Sequence, residues 1–339
     1  MPEVPAGADL AELLLAAVER SGERLADGDV VVVSSKVVSK ALGLWAAAGA
    51  DRESVIDAQT RRVVAERRSG DRTTRIVQSV AGPVMAAAGV DASNTGATDR
   101  LLLLPTDPDA SARSLRGSLA AASGCRRVGV VLSDTAGRPW RAGQVDFALG
   151  TAGLQVLDDL RGATDADGRP LAVTARALAD ELAAAADLVK GKAHAVPAAL
   201  VRGAGDWVVA EEVDGAAALV RTGREDWFAY GQAEAVRASL GVEPGSPEAA
   251  ECGIPAVHPE PVADRIGRAV RVALHGLPDV GVDVGPHDVR VSADDRFDLG
   301  RAVARLEVAL WGEDLRAELT SPRGGFEAVL SVERPASEG

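Results

Sequence analysis

The sequence predicts a mixed α/β fold followed by a small α/β appendage. Three observations predict it. Apolar β-branched runs such as VVVVSS (30–35) interleave with amphipathic stretches. The connections between them vary too much for a regular βαβ series, which leaves α/β and α+β both open. A passage with five prolines, GVEPGSPEAAECGIPAVHPEP (241–261), separates a long N-terminal part from a short C-terminal one. At 339 residues the chain can support two domains, each with its own core.

In chain order, Leu10, Leu13, Leu14 and Val18 share one face of a helix that the DGD at 27–29 breaks. A buried strand follows from Val30 to Ser35, then KVVSKALG (36–43). Residues 51–68 are rich in charge and read as a helix. A turn-rich stretch leads to VMAAAGVDASNTG (84–96). RLLLLP (100–105) reads as a short strand ended by Pro105. Residues 109–124 form a helix and 126–134 the next strand. Leu178, Leu182 and Ala185 or Ala186 mark a helix running to Lys190, and PAALVRG (197–203) is a further strand. The expected division is a domain over 1–237, a proline-rich linker over 238–261 and an α/β domain over 262–335. In the last, Leu299, Val303, Leu306 and Leu310 keep helical spacing.

The net charge of −13 argues against a nucleic-acid partner, because a phosphate backbone needs a basic stripe. The start carries no basic segment before an apolar core. No apolar run approaches the roughly 20 residues of a membrane span. These features predict a soluble, cytoplasmic protein with no membrane partner. Cys125 and Cys252 lie far apart and in no metal-binding spacing, and the four histidines are scattered. No phosphate-binding GxxxxGK[ST] loop or dinucleotide-binding GxGxxG is present.

Three segments carry candidate chemistry. In SSKVVSK (34–40), Ser35, Lys36 and Lys40 suit an anion site, although a solvated turn also accounts for them. In GVDASNT (89–95), Asp91 and Asn94 flank a polar turn that also reads as a plain Asx turn. The third, SDTAGRPWRAGQVDFALG (133–150), places Asp134 and Thr135 at the end of an apolar strand. A carboxylate and a hydroxyl are the hard oxygen donors that Mg²⁺ or Mn²⁺ prefers. Arg138 and Arg141 suit phosphate or carboxylate. A polar strand-to-helix loop competes with that reading. Together the three segments supply acids, cations and hydroxyls for a divalent metal bridging nucleotide phosphates.

These motifs, with VTARALADELAAAADLVKGKA (173–193) and GREDWFAYGQAEA (223–235), occur in an order and spacing that resembles the coenzyme F420-0:L-glutamate ligases, from Pro2 to about Ala235. The resemblance implies a fold of F420 γ-glutamyl ligase type, an intertwined homodimer, and GTP-driven γ-linked addition of L-glutamate to F420-0 or its dehydro form. It implies that Pro2, Glu3, Ser35, Lys40 and Asn94 contact GTP, with Lys190, Gly191 and Lys192 completing the pocket. Asp91, Asp134 and Thr135 become the ligands of Mg²⁺ or Mn²⁺, and K⁺ is a further expected ion. Lys40, Arg138 and Arg141 supply catalytic positive charge. Gln144 and Asp146 fall near the acceptor.

The chain departs from the family pattern in places. It starts at the loop that normally follows a first strand, Leu42 to Leu44 read LGL where EGR is usual, and Val145 replaces a threonine. A nucleotide-binding relative with impaired catalysis is therefore the competing expectation. The tail is too short for the flavin-binding reductase domain of some relatives, so no FMN is expected.

Overall fold

The computed structural model describes residues 1–92, 100–192, 194–223, 226–323 and 325–333. They fall into two compact units: Met1–Arg61 with Gln78–Glu225, and Arg62–Val77 with Asp226–Gly339. The mixture of helices and sheets agrees with the expected α/β class.

Unit 1 opens with α1 (Leu10–Arg20), whose N-terminus is capped by Asp9 accepting the Glu12 N–H at 3.0 Å. Then come β1 (Val30–Ser34), α2 (Ser35–Ala41) and α3 (Arg52–Ala58). The hairpin β2 (Thr60–Ser69) and β3 (Arg72–Ser79) leaves unit 1 at Arg61 and returns at Gln78. Next are β4 (Val84–Ala86), α4 (Pro108–Ser123), β5 (Gly129–Arg138), β6 (Arg141–Ala152), the two-residue strands β7 (Asp158–Asp159) and β8 (Ala175–Arg176), α5 (Leu178–Lys190) and β9 (Ala198–Val201).

The main sheet has the order β6-β5-β1-β9, with β1 parallel to β5 and the other pairs antiparallel. Both faces of β1 are covered, which is why it reads as an unbroken valine run. Val31 and Val33 join Leu10, Leu14, Leu115 and Leu119 from α1 and α4. Val30 and Val32 join Ala179 and Ala183 from α5 on the opposite face. Each fully buried valine is worth about 1.5–2 kcal/mol of transfer free energy. Gly150 lets α4 approach, since a Cβ there would lie 2.4 Å from the Pro108 carbonyl oxygen.

Unit 2 contains the β2–β3 segment, α6 (Gln232–Ser239), α7 (Pro247–Cys252), α8 (Val262–Leu274), β10 (Val280–Val284), β11 (Asp288–Ala293), α9 (Arg296–Gly312), β12 (Arg316–Arg323) and β13 (Glu327–Glu333). Its sheet is antiparallel in the order β10-β11-β13-β12. Leu306 and Leu310 of α9 are buried, with Leu299 and Val303 packed against the same core, as the spacing predicts.

Three expectations need correction. Residues 51–68 are helical only to Ala58, and the charged remainder is strand β2, in which Val64 and Glu66 are buried between partly buried neighbours. RLLLLP makes only isolated bridges at Leu102, to Trp45 and Asp91. The division differs at the expected linker. Leu240, Val242, Ala249 and Cys252 are buried in the core of unit 2. Pro247 begins α7 behind the Ser246 cap, a position that tolerates proline because no helical N–H is lost there. Unit 2 also takes in residues 62–77, held by Arg68 N–H to Pro255 O and Val257 N–H to Arg68 O, both 2.8 Å. No composition shift marks that segment.

Candidate active site

The stretch 133–150 is neither a loop nor a strand-to-helix connection. Its polar residues lie on the long hairpin β5–β6, which runs on past the buried part of the sheet. A register shift between Leu132 and Ser133 marks where burial gives way to polar side chains. Alternation along β5 then sends Ser133 and Thr135 to the α5 face and Asp134 to the other.

On the α5 face, Asp146 is buried and fully engaged. Ser133 Oγ donates to it at 2.9 Å, Thr135 Oγ1 at 2.5 Å and Lys190 Nζ at 2.6 Å. Lys190 also donates to Ser133 Oγ at 2.5 Å. Burial opposes ionisation of Asp146, but Lys190, Thr135 and Ser133 outweigh it and hold its carboxyl below the usual range. Lys192 hydrogen-bonds Thr135 and stands 4.0 Å from Asp146. Gly191 joins the two lysines with φ 58° and ψ −176°, a conformation essentially confined to glycine. That turn is what lets Lys190 point inward while Lys192 stays exposed.

Asp134 contrasts with Asp146. Among the described residues it takes part in no ion pair, and it accepts the Thr135 backbone N–H. Burial, then the negative charges of Asp146 and Asp91, push its pKa up to about 6. Asp91, which bridges Leu102, is met by Lys36 at 2.6 Å. Lys40, buried at the end of α2, pairs with exposed Glu3. Ser35 is buried at the start of α2.

The structure thus gathers Asp91, Asp134, Thr135, Lys36, Lys190 and Lys192 around one end of the sheet, and joins Glu3 to Lys40. Pro2 is exposed beside Glu3. Asn94 lies outside the described residues, as does Ala193 within 190–197. Arg138 and Arg141 face each other at the turn of the hairpin. Arg138 lies four residues beyond Asp134, about 13 Å along an extended strand. Gln144 is exposed on the same arm. Sequence reasoning missed that Asp146 and Lys190 form a buried pair. The signal was the alternation of Val145, Phe147 and Leu149 with polar or small residues, a strand pattern hidden among glycines.

The expected set of Asp91, Asp134 and Thr135 is brought together only in part: the two carboxylates fit a hard divalent cation, which would relieve the charge crowding on Asp134, whereas the Thr135 hydroxyl is turned to the α5 face and engaged with Asp146 and Lys192. Among the described residues no three carboxylate, imidazole or thiol groups form a ready-made cage. The fit is to an open site in which Mg²⁺ or Mn²⁺ keeps water and phosphate oxygens beside one or two carboxylates. A separate groove of about 310 Å³ between α1 and β9, lined by Leu14, Val18 and Leu200, contains none of these side chains.

The fold and site define a mixed α/β domain with an acid–lysine centre at the end of its sheet. A family model described as F420-0:gamma-glutamyl ligase matches residues 1–203. The chain belongs to that family. A protein of Halobacterium salinarum named coenzyme F420:L-glutamate ligase is 42% identical over 222 residues, covering 60% of this chain and 83% of the relative. Relatives of the same name from Methanothermobacter thermautotrophicus and Natronomonas pharaonis are each 39% identical, over 225 and 250 residues. The first covers 60% of this chain and 86% of the relative, the second 67% and 90%. Among the described residues no helix is long and apolar enough to cross a membrane.

Proposed function

We propose that this chain is a GTP-dependent ligase that adds L-glutamate to coenzyme F420-0, or its dehydro form, through γ-glutamyl amide bonds. The observation that carries this reading is Asp134, a half-buried acid crowded by the negative charges of Asp146 and Asp91, in a chain of this family.

A carboxylate is a poor acyl donor at neutral pH. Transfer of the γ-phosphoryl group of GTP to the acceptor carboxylate gives GDP and an acyl phosphate. The amine of glutamate then attacks the acyl carbon, loses a proton and expels inorganic phosphate. Such transfer depends on positioning and charge neutralisation rather than on a protein nucleophile. A divalent ion would be held by the carboxylates of Asp91 and Asp134 and would supply positive charge to the phosphates when bound, with Thr135 reaching it only if its hydroxyl leaves Asp146. Lys40, with Glu3, Pro2 and Ser35 nearby and Asn94 beyond the described residues, contributes to holding GTP. Lys192, presented by Gly191, lies beside Thr135 and is placed to meet phosphate. Lys190 acts through Asp146, which fixes the Thr135 hydroxyl. Arg138 and Arg141, at the hairpin turn, meet anionic substrate groups from the rim. K⁺, a homodimer and a cytoplasmic location belong to the same reading.

Incubation of the full chain with F420-0, GTP, Mn²⁺ and glutamate should give glutamylated products by mass spectrometry. Absence of product from well-folded protein contradicts the proposal. Val145 and the LGL at 42–44 favour a second reading, a nucleotide-binding relative without catalysis. Calorimetry showing GTP binding with no turnover selects it.

A further inference from the structure

We propose that the outward face of α9 in unit 2 is an interface, and that its occupant is the same face of a second copy of this chain, crossing it antiparallel at Ala304. The proposal does not rest on the ligase reading, since the family model ends at residue 203 and α9 begins at Arg296.

Burial is the first argument. α9 packs Ala302, Leu306, Ala309 and Leu310 into the core of unit 2. Its other face is apolar as well. Phe297 is 76% exposed, Trp311 56% and Val308 43%. Gly300 and Ala304 are exposed between them. Steps of three and four residues keep all five on one side of the helix. Single exposed apolar residues are ordinary, but a helix that is apolar all round is expected to be covered all round. The neighbouring helix α8 exposes Asp264 and Arg271 and no large apolar side chain.

The glycine is the second. Glycine inside a helix weakens it relative to alanine. A Cβ at Gly300 would meet nothing within 4 Å, so packing inside the chain does not call for glycine there. Close approach of a second backbone does.

Self-complementarity is the third, and it identifies the occupant. Phe297 and Trp311 lie seven residues either side of Ala304, Gly300 and Val308 four, and Arg301 and Glu307 three. Two antiparallel copies crossing at Ala304 therefore set Phe297 level with the second copy's Trp311, Gly300 with its Val308, and Arg301 with its Glu307. Ring meets ring, a gap meets a branched side chain, and cation meets anion. A two-fold contact requires such a surface, complementary to itself. A parallel pairing would set Arg301 level with Arg301 and Glu307 with Glu307. Phe297 and Trp311 offer on the order of 300 Å² of ring surface per copy. That is well under the roughly 800 Å² per partner of a standard stable interface, so the contact is weak and reversible.

The test uses the full chain. Ala304→Cys places a thiol where the two copies cross, within the roughly 4.4–6.8 Å between Cα atoms that a disulfide spans. Mild oxidation should give a disulfide-linked dimer well above the level in wild type, where Cys125 and Cys252 serve as the control. The cross-link reports residue 304 alone, whatever other contact joins the copies. Arg301→Glu and Glu307→Arg, each checked for an unchanged melting temperature, should weaken self-association in sedimentation about tenfold or more, because symmetry makes each reversal act twice. An equal mixture of the two variants should associate as wild type does, since both contacts of the mixed pair again join opposite charges. A cross-link no stronger than in wild type overturns the assignment and leaves the face to a different partner. A mixture that associates no better than either variant alone overturns it too.

Discussion

Both units bury charge, and they treat it differently. In unit 2, Arg268 sits between Glu313 at 2.6 Å and Glu260 at 2.8 Å, with Arg237 3.6 Å from Glu313. Burial opposes ionisation of Glu260, yet Arg268, the Ala256 N–H and Arg68 bring its pKa down to about 2. Every charge in that cluster has its opposite within the chain. Unit 1 completes Asp146 in the same way, with Lys190, but leaves Asp134 crowded by like charge and pushed up to about 6. A completed buried charge is architecture. An uncompleted one marks where a cation from outside is expected.

The comparison can be broken most strongly at Asp134. Asp134→Asn should lower kcat by at least about 100-fold, the scale of losing one electrostatic partner of a transition state. The metal-free fold should be as stable as wild type or more so, because the substitution removes a charge that burial disfavours. Retained activity contradicts the metal role.

Matched pair deletions come next. Lys190→Met leaves buried Asp146 with only the exposed Lys192 at 4.0 Å, and Arg268→Met leaves buried Glu313 with only Arg237 at 3.6 Å. Each should cost about 3–5 kcal/mol in urea unfolding. In the double variant Lys190→Met, Asp146→Leu most of that loss should return, whereas kcat should not. Equal kcat values in wild type and Lys190→Met would separate the pair from the site.

A smaller effect is in pH. The folded-state pKa of Asp134 is raised from 3.8 to about 6, so this group disfavours the metal-free fold increasingly as pH rises across that interval. A cation needs the ionised form. Mn²⁺ affinity should therefore rise about tenfold per pH unit below 6 and level off above it. A flat profile from pH 5 to 8 refutes that assignment. The smallest effect is expected at Asp159, which Arg161 brings down to about 2 at a fully exposed site. Arg161→Ala should leave the melting temperature unchanged, since solvent screens such a pair.

Much of unit 1 was legible from local pattern. The valine run of β1 and the helical spacing of α1, α4 and α5 report burial directly. The hairpin β5–β6 was not, because Gly137, Pro139 and Gly143 mimic loop composition while pairing across strands is non-local. The candidate metal residues were legible as residue types, but the pairing of Asp146 with Lys190 joins positions 44 residues apart and leaves no local trace. The transfer of residues 62–77 to unit 2 was invisible for the same reason. The prolines at 244–261 misled because Pro247 begins a helix rather than a linker.

The most direct test is a Mn²⁺ titration followed by electron paramagnetic resonance, on wild type and Asp134→Asn at pH 7.5 with GTP present. Wild type should take up the ion. The variant should bind it at least about tenfold more weakly, as expected when one carboxylate ligand is lost. Equal affinity in the two proteins would show that the uncompleted charge at Asp134 is not where the cation binds.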